Sequence, residues 1–185
     1  YEPINEIITP NKINVLGMSM GDITNSQEET VVAYKQNDRL LMFNLAGQEL
    51  WSGNERHGGN MLFYNGPQQD TGDVENRLYF PMRTRVLQRQ GKSCEVIAVK
   101  NHDLTGMKLK YRSFDEAHIE SLTWTGLGLA ANWKTRKING QVRDFDLGDF
   151  DNDGTLELVV VVIQKEGAIA FSTPKTALIA YDIRS

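Results

Sequence analysis

A unit that returns at a near-constant interval constrains a fold more than any single residue, because every copy must be able to take the same shape. Three glutamates, Glu29, Glu95 and Glu157, each head an apolar, β-rich run, and they are spaced 66 and 62 residues apart. In the first unit Gly21-Asp22 and a polar loop lead to Glu29, then to Val31-Val32, Leu40-Leu41-Met42-Phe43 and a closing Gly47-Gln48-Glu49-Leu50-Trp51. The second runs from Arg85-Val86-Leu87 through a polar loop at 88–93 to Glu95, then Val96 to Val99, Leu122-Thr123-Trp124, and a turn and strand ending in Trp133. The third has Gly148-Asp149, an acidic loop, Glu157, an apolar run from Leu158 to Ile163, and a last run through Tyr181. A four-strand period of this size suits β-propeller blades, which repeat small sheets around an axis and leave only short edges.

Helical periodicity is nearly absent, and short runs bounded by Gly, Asn and Asp clusters read as strands. The expected fold is therefore all-β, a single segment over 1–185 with about three propeller-like blades of antiparallel four-stranded sheet. Their approximate bounds are 11–53, 83–134 and 141–185. Two inserts, 54–82 and 101–117, interrupt the pattern. Long connections in compact domains are either functional or simply tolerated, and both readings stand for these two.

The formal charge of −4 argues against a nucleic-acid binder, which would show a basic face. No apolar run approaches the roughly 18 residues a membrane-spanning helix needs. Cys94 is the single cysteine, so no disulfide forms within the chain; set in a strand-like run, it reads as a small buried hydrophobe. The sequence opens on Tyr1, which leaves any targeting segment outside it.

Asp149, Asp151 and Asp153 alternate, Gly154 follows, and Glu157 opens the next strand. Calcium takes about six to eight hard oxygen ligands, and a tight turn with carboxylates at every second position converges them on one point. Gly154 supplies the freedom to reverse the chain, the Thr155 carbonyl can then point inward, and Glu157 closes the shell. Without a cation these acids would repel one another. An EF-hand would need a glutamate at the twelfth position, where Val160 stands instead. Magnesium fits less well, since it keeps several waters and takes few protein ligands.

Gly148-Asp149-Phe150-Asp151-Asn152-Asp153-Gly154-Thr155-Leu156-Glu157-Leu158-Val159-Val160 resembles the FG-GAP/VCBS repeat of integrin α-type propellers and many bacterial exported proteins. The resemblance implies a loop joining the first two strands of a blade, with Ca²⁺ held by Asp149, Asp151, Asp153, the Thr155 carbonyl and Glu157. It also implies an extracytoplasmic location and an interaction, adhesion or scaffold role with a protein or glycan partner. Gly21-Asp22-Ile23-Thr24-Asn25-Ser26 is similar but degenerate, with Thr24 and Ser26 in place of acids and a loop one residue shorter. Asp22 is read there as a turn cap. The loop at 88–92 keeps the turn and has lost the acids. Asp144 and Asp146 read as the polar face of a strand or as support for the metal from behind.

The chain is not expected to be an enzyme. His57, His102 and His118 are spread over expected loops and a strand start, with His57 read as solvent-exposed. Trp51, Trp124 and Trp133 fall at matching repeat positions and read as packing between blades. The alternative is a carbohydrate-active or ligand-processing propeller whose site is built from the inserts. Three units are fewer than the four to eight blades of closed propellers, so a fragment of a larger propeller, or self-association, is expected. Ile4–Ile8 has the β-rich look of a strand that completes the last blade.

Overall fold

The computed structural model describes residues 6–11, 13–67, 76–103, 112–164 and 174–183. Among these the protein is all-β, with no helix, and its strands form separate antiparallel sheets. Sheet one is the meander β1 (Ile13–Gly21), β2 (Thr30–Lys35), β3 (Arg39–Asn44) and β4 (Glu49–Arg56). β5 (Phe63–Asn65) and β6 (Arg77–Tyr79) pair as a small hairpin of their own. Sheet two is the meander β7 (Thr84–Leu87), β8 (Glu95–Asp103), β9 (Phe114–Trp124) and β10 (Leu129–Lys134), with β11 (Ile138–Asn139) also paired to β9. Sheet three has β12 (Gln141–Gly148), β13 (Glu157–Gln164) and β14 (Lys175–Asp182). No helix among the described residues is long and apolar enough to cross a membrane.

Central strands explain why the sheets stack. β2 is buried along Thr30 to Tyr34 and β3 along Leu40 to Phe43, so both faces of sheet one are covered. Since side chains alternate across a strand, Val32, Tyr34, Leu40 and Met42 enter the main core, while Val31, Ala33, Leu41 and Phe43 form a second cluster on the opposite face. The main core also takes Val96 to Val99 and Ile119 from sheet two and Phe145, Leu158, Val160 and Val162 from sheet three. Sheet two lies between the other two, with β1 against β7 on one side and β12 against β8 and β9 on the other.

Polar contacts fix this stacking. Ser19 Oγ donates to the Thr84 carbonyl at 2.7 Å, joining β1 to β7. Arg83, just before β7, and Arg85 of β7 meet Asp144 and Asp146 of β12, with Arg83 Nε–Asp144 Oδ1 at 3.0 Å and Arg85 Nε–Asp146 Oδ1 at 2.6 Å. Asp144 and Asp146 therefore serve the contact between sheets. Trp51 reaches from β4 to the β9–β10 turn, where a Cβ on Gly128 would lie 2.4 Å from the indole nitrogen. Trp51, Trp124 and Trp133 all pack against the main core, as their repeat positions suggested.

Two expectations change. Glu6 to Pro10 form no strand, and Ile8 N–H donates to the Leu45 carbonyl at 3.3 Å, so this segment lies on sheet one rather than completing sheet three. Ile4 and Asn5 lie outside the described residues. Within the insert at 101–117, residues 101–103 extend β8 and 114–117 open β9, and the one at 54–82 contains the end of β4 and the β5–β6 hairpin; residues 68–75 and 104–111 lie outside the described ones.

Burial on both faces of sheet two gives a direct test. Ile97→Ala, at a fully buried site in β8, is expected to cost about 2–5 kcal/mol in denaturant unfolding. Leu127→Ala, in a turn where the side chain is 91% exposed, should stay within about 0.5 kcal/mol.

Candidate functional site

The acidic loop joins β12 to β13, and Gly148 pairs with Glu157 across its base. Two residues hold the backbone in the left-handed region, Asn152 at φ 61° and Gly154 at φ 85°, and these reversals curl the loop over its own base. Asp149 Oδ2 accepts from Gly154 N–H at 3.1 Å, Asp151 Oδ1 from Asp153 N–H at 3.2 Å, and Asp153 Oδ1 from Thr155 N–H at 2.7 Å. Glu157 Oε2 accepts from Phe150 N–H at 2.6 Å. Each carboxylate thus spends one oxygen on the loop's own backbone and is aimed by that bond. Carboxylate oxygens from Asp149, Asp151, Asp153 and Glu157 lie within 4.8 Å of one another. Hydrogen bonding to Thr155 lowers the Asp153 pKa, which keeps that group charged. The four acids predicted to converge do converge, and Thr155 belongs to the same loop through its N–H.

Comparison with the other sheets shows what this position demands. The first residue of each second strand pairs with the last residue of the first: Gly21 with Thr30, Leu87 with Glu95, and Gly148 with Glu157. The counterpart of Glu157 in sheet one is therefore Thr30, which is buried, and not the exposed Glu29. The loop of sheet one is consequently the same length as the acidic loop, not one residue shorter. Its left-handed residues, Asn25 and Gln27, fall at the same offsets from Asp22 as Asn152 and Gly154 do from Asp149. Asp22 caps the turn as expected, accepting from Ser26 N–H at 2.9 Å and Gln27 N–H at 3.0 Å.

Charge at this position is balanced in a different way in each sheet. In sheet one Thr24 and Ser26 stand where sheet three has Asp151 and Asp153, and their hydroxyls bond each other at 2.8 Å, so Asp22 is the single acid at the four matching positions. In sheet two the buried Glu95 meets the Arg89 guanidinium and also accepts from Ser121 Oγ at 2.5 Å and Trp133 Nε1 at 2.7 Å. In sheet three Glu157 is only 3% exposed, and no ion pair among the described residues involves it. A buried carboxylate beside three aspartates, without a protein cation, has the donor set and the electrostatic need of a hard-cation site.

The histidines are not scattered. His57 Nε2 and Glu120 Oε2 lie 2.8 Å apart, His118 Nε2 and Glu120 Oε1 2.7 Å, and His102 Nε2 and His118 Nδ1 2.9 Å. His57 is buried at 8% exposure because Gly58 and Gly59, both with positive φ, let its strap pair with β8, Gly58 N–H donating to the Val99 carbonyl at 2.5 Å. His118 and Glu120 alternate on β9 and so share a face. That alternation joins only His118 and Glu120; His57 and His102 come to them from other segments, which no local pattern links. Cys94 is buried and its thiol is pushed up to about 11 by burial, which makes it an inert core residue.

A cavity of about 560 Å³ opens at the other end of sheet one, where β1 starts and β2 ends, and the β5–β6 hairpin walls it. Asp38, in the β2–β3 turn at φ 63°, pairs there with Arg112 at 2.8 Å, and the Arg112 guanidinium lies 3.9 Å over the Tyr79 ring. Burial raises the Asp38 carboxyl pKa. Comparison of the chain with protein-family models, curated proteins and solved structures finds no match.

Glu120 links the histidines to the core, and its partners, His57 first, hold its carboxyl down at about 2. A depressed carboxylate contributes stability above its unfolded value near 4.5 and loses it as pH falls from there toward about 2. Glu120→Gln should therefore cost on the order of 3 kcal/mol at pH 7 and flatten the acid limb of the stability curve between those values. Urea melts of both proteins at pH 7, 4 and 3 check this.

Proposed function

We propose that this chain is a calcium-binding β-propeller module of the FG-GAP/VCBS kind, acting outside the cytoplasm as a non-catalytic interaction, adhesion or scaffold domain with a protein or glycan partner. The observation that carries the metal reading is buried Glu157 beside Asp149, Asp151 and Asp153 with no cationic side chain paired to them among the described residues. Those four carboxylates, with the Thr155 carbonyl, are the ligands assigned to Ca²⁺, and solvent completes the shell. The ion fastens the loop to the head of β13, whose apolar residues enter the main core. Four-stranded meanders in sheets one and two, with β1 against β7 and a shared core, support the blade reading. β14 has no fourth strand beside it among the described residues and exposes Leu178, which supports an edge that meets a further strand. The cavity beside the first insert supports a ligand-binding role within the same reading.

Calcium bound to the native state alone should raise stability by RT ln(1 + [L]/Kd), about 2.7 kcal/mol at a hundredfold excess over Kd. Thermal melts in calcium and in EDTA should differ accordingly, and Asp151→Asn should abolish the difference. Identical melting in both, with no heat of binding, would remove the metal from the account.

The shared loop backbone yields a gain-of-function test. Thr24→Asp, Ser26→Asp and Thr30→Glu together rebuild the acid set of sheet three on the loop of sheet one. Calorimetry should then show calcium stoichiometry rising from one site to two. A stoichiometry fixed at one would mean that loop shape and charge do not suffice.

A further inference from the structure

Where the strap after β4 lies on sheet two, three imidazoles and one carboxylate form a single chain of hydrogen bonds, and Glu120 sets its polarity. The Glu120 carboxyl is held down at about 2, so it only accepts, and both imidazoles facing it donate. His57 Nε2–H gives to Oε2 at 2.8 Å and His118 Nε2–H to Oε1 at 2.7 Å. A neutral His118 then keeps its lone pair on Nδ1, and His102 Nε2–H donates to it at 2.9 Å. His57 Nδ1 is buried without a partner among the described residues, so a hydrogen added there would have no acceptor. The joint between His102 and His118 has no such obstacle to one proton. A proton arriving at His102 Nδ1 leaves the N–H···N bond in place, and the bridging hydrogen can cross to His118 with no heavy atom moving. The charge is then shared, and the Glu120 carboxylate favours it on His118. A second proton cannot be fitted, because both facing nitrogens would carry hydrogen 2.9 Å apart.

We propose that His102 and His118 form a one-proton joint: the pair takes one shared proton with its hydrogen bond intact, and a second parts the rings and opens the end of the β8–β9 ladder, where His102 and Asp103 pair with Glu116 and Phe114. The surrounding charges bear on both steps. Lys100 of β8 adds a fixed positive charge, 3.9 Å from Glu120 Oε1 and 2.7 Å from Glu55 Oε2 of β4. Glu116, directly across from His102, is paired with Lys137, and Lys134 of β10 stands across from Glu120. Burial, His118 and Lys100 together lower the His102 pKa against the opposite pull of Glu116 and Glu120. Coupled imidazoles titrate in two steps that belong to the pair, and the depressed step is the second. A lowered histidine leaves stability complete above its unfolded value of 6.5 and lost as pH falls from there, so the ladder end is acid-sensitive. This joint is independent of calcium, since the acidic loop is on sheet three and the histidines are on the strap and sheet two.

NMR of the histidine rings in the intact chain, followed from pH 8 to pH 4.5, tests the joint. His102 and His118 should titrate together in two steps, and His118→Gln should return His102 to one step near about 6.5. Amide-exchange protection at His102 and Glu116, corrected for intrinsic rates, should fall about tenfold between about pH 6.5 and 5, with the urea midpoint falling alongside. In His102→Gln, which removes one titrating ring and keeps an N–H donor for His118, both losses should vanish. That variant carries the test alone if His118→Gln fails to fold. Asp151→Asn should behave as the native sequence does, which separates this joint from the metal. Independent single steps for the two rings, protection constant across the range, or equal losses in His102→Gln would overturn the proposal.

Discussion

The structure depends on strands that are apolar on both faces. An antiparallel sheet with one dry face can stand against solvent, but β2 and β3 bury consecutive residues and β8 buries Glu95 through Val99. Such strands are stable only with a layer on each side. Stacked sheets follow, and so do the polar clamps that set their spacing: Ser19 to Thr84 on one side of sheet two, and the Arg83 and Arg85 pairs with Asp144 and Asp146 on the other. Those ion pairs are partly exposed and contribute little energy individually, so their value lies in orientation.

Stacking repeated units places the same turn at the same end of each sheet, and this turn presents one buried position to be satisfied. Threonine in sheet one satisfies it without charge, donating from Oγ1 to the Gly21 carbonyl at 3.2 Å. Glutamate in sheet two satisfies it with Arg89. In sheet three the same glutamate is gathered with three aspartates, a cluster that could hold a metal ion. The two protein-only solutions give the metal proposal its physical basis: where a carboxylate sits at this buried position, something positive must accompany it.

The sequence made the repeat legible because period-two patterning and turn residues are local, and the strands of the three main sheets fall close to where those signals put them, while the short β5, β6 and β11 carried too little pattern to be read. The convergence of Asp149, Asp151, Asp153 and Glu157 was legible for the same reason, since nine consecutive residues carry it. The one-residue error at Glu29 arose because an acid was taken as the marker, while the structure conserves burial and pairing, which Thr30 fulfils. Contacts between distant segments were illegible. His57 reaches Glu120 across 63 positions and Asp38 meets Arg112 from another loop, so neither the buried histidine cluster nor the cavity has a local signature. His57 in particular looked exposed because Gly58-Gly59 reads as a loop, when in fact those glycines allow a strap to lie flat on β8.

A crystal structure of the chain grown in calcium, with anomalous scattering used to locate the ion, tests the central claim most directly. A calcium-binding loop predicts one strong anomalous peak about 2.3–2.6 Å from oxygens of Asp149, Asp151, Asp153 and Glu157 and from the Thr155 carbonyl. An ordered loop with no peak at saturating calcium would contradict it, and would require some other account of four carboxylates gathered at the head of β13.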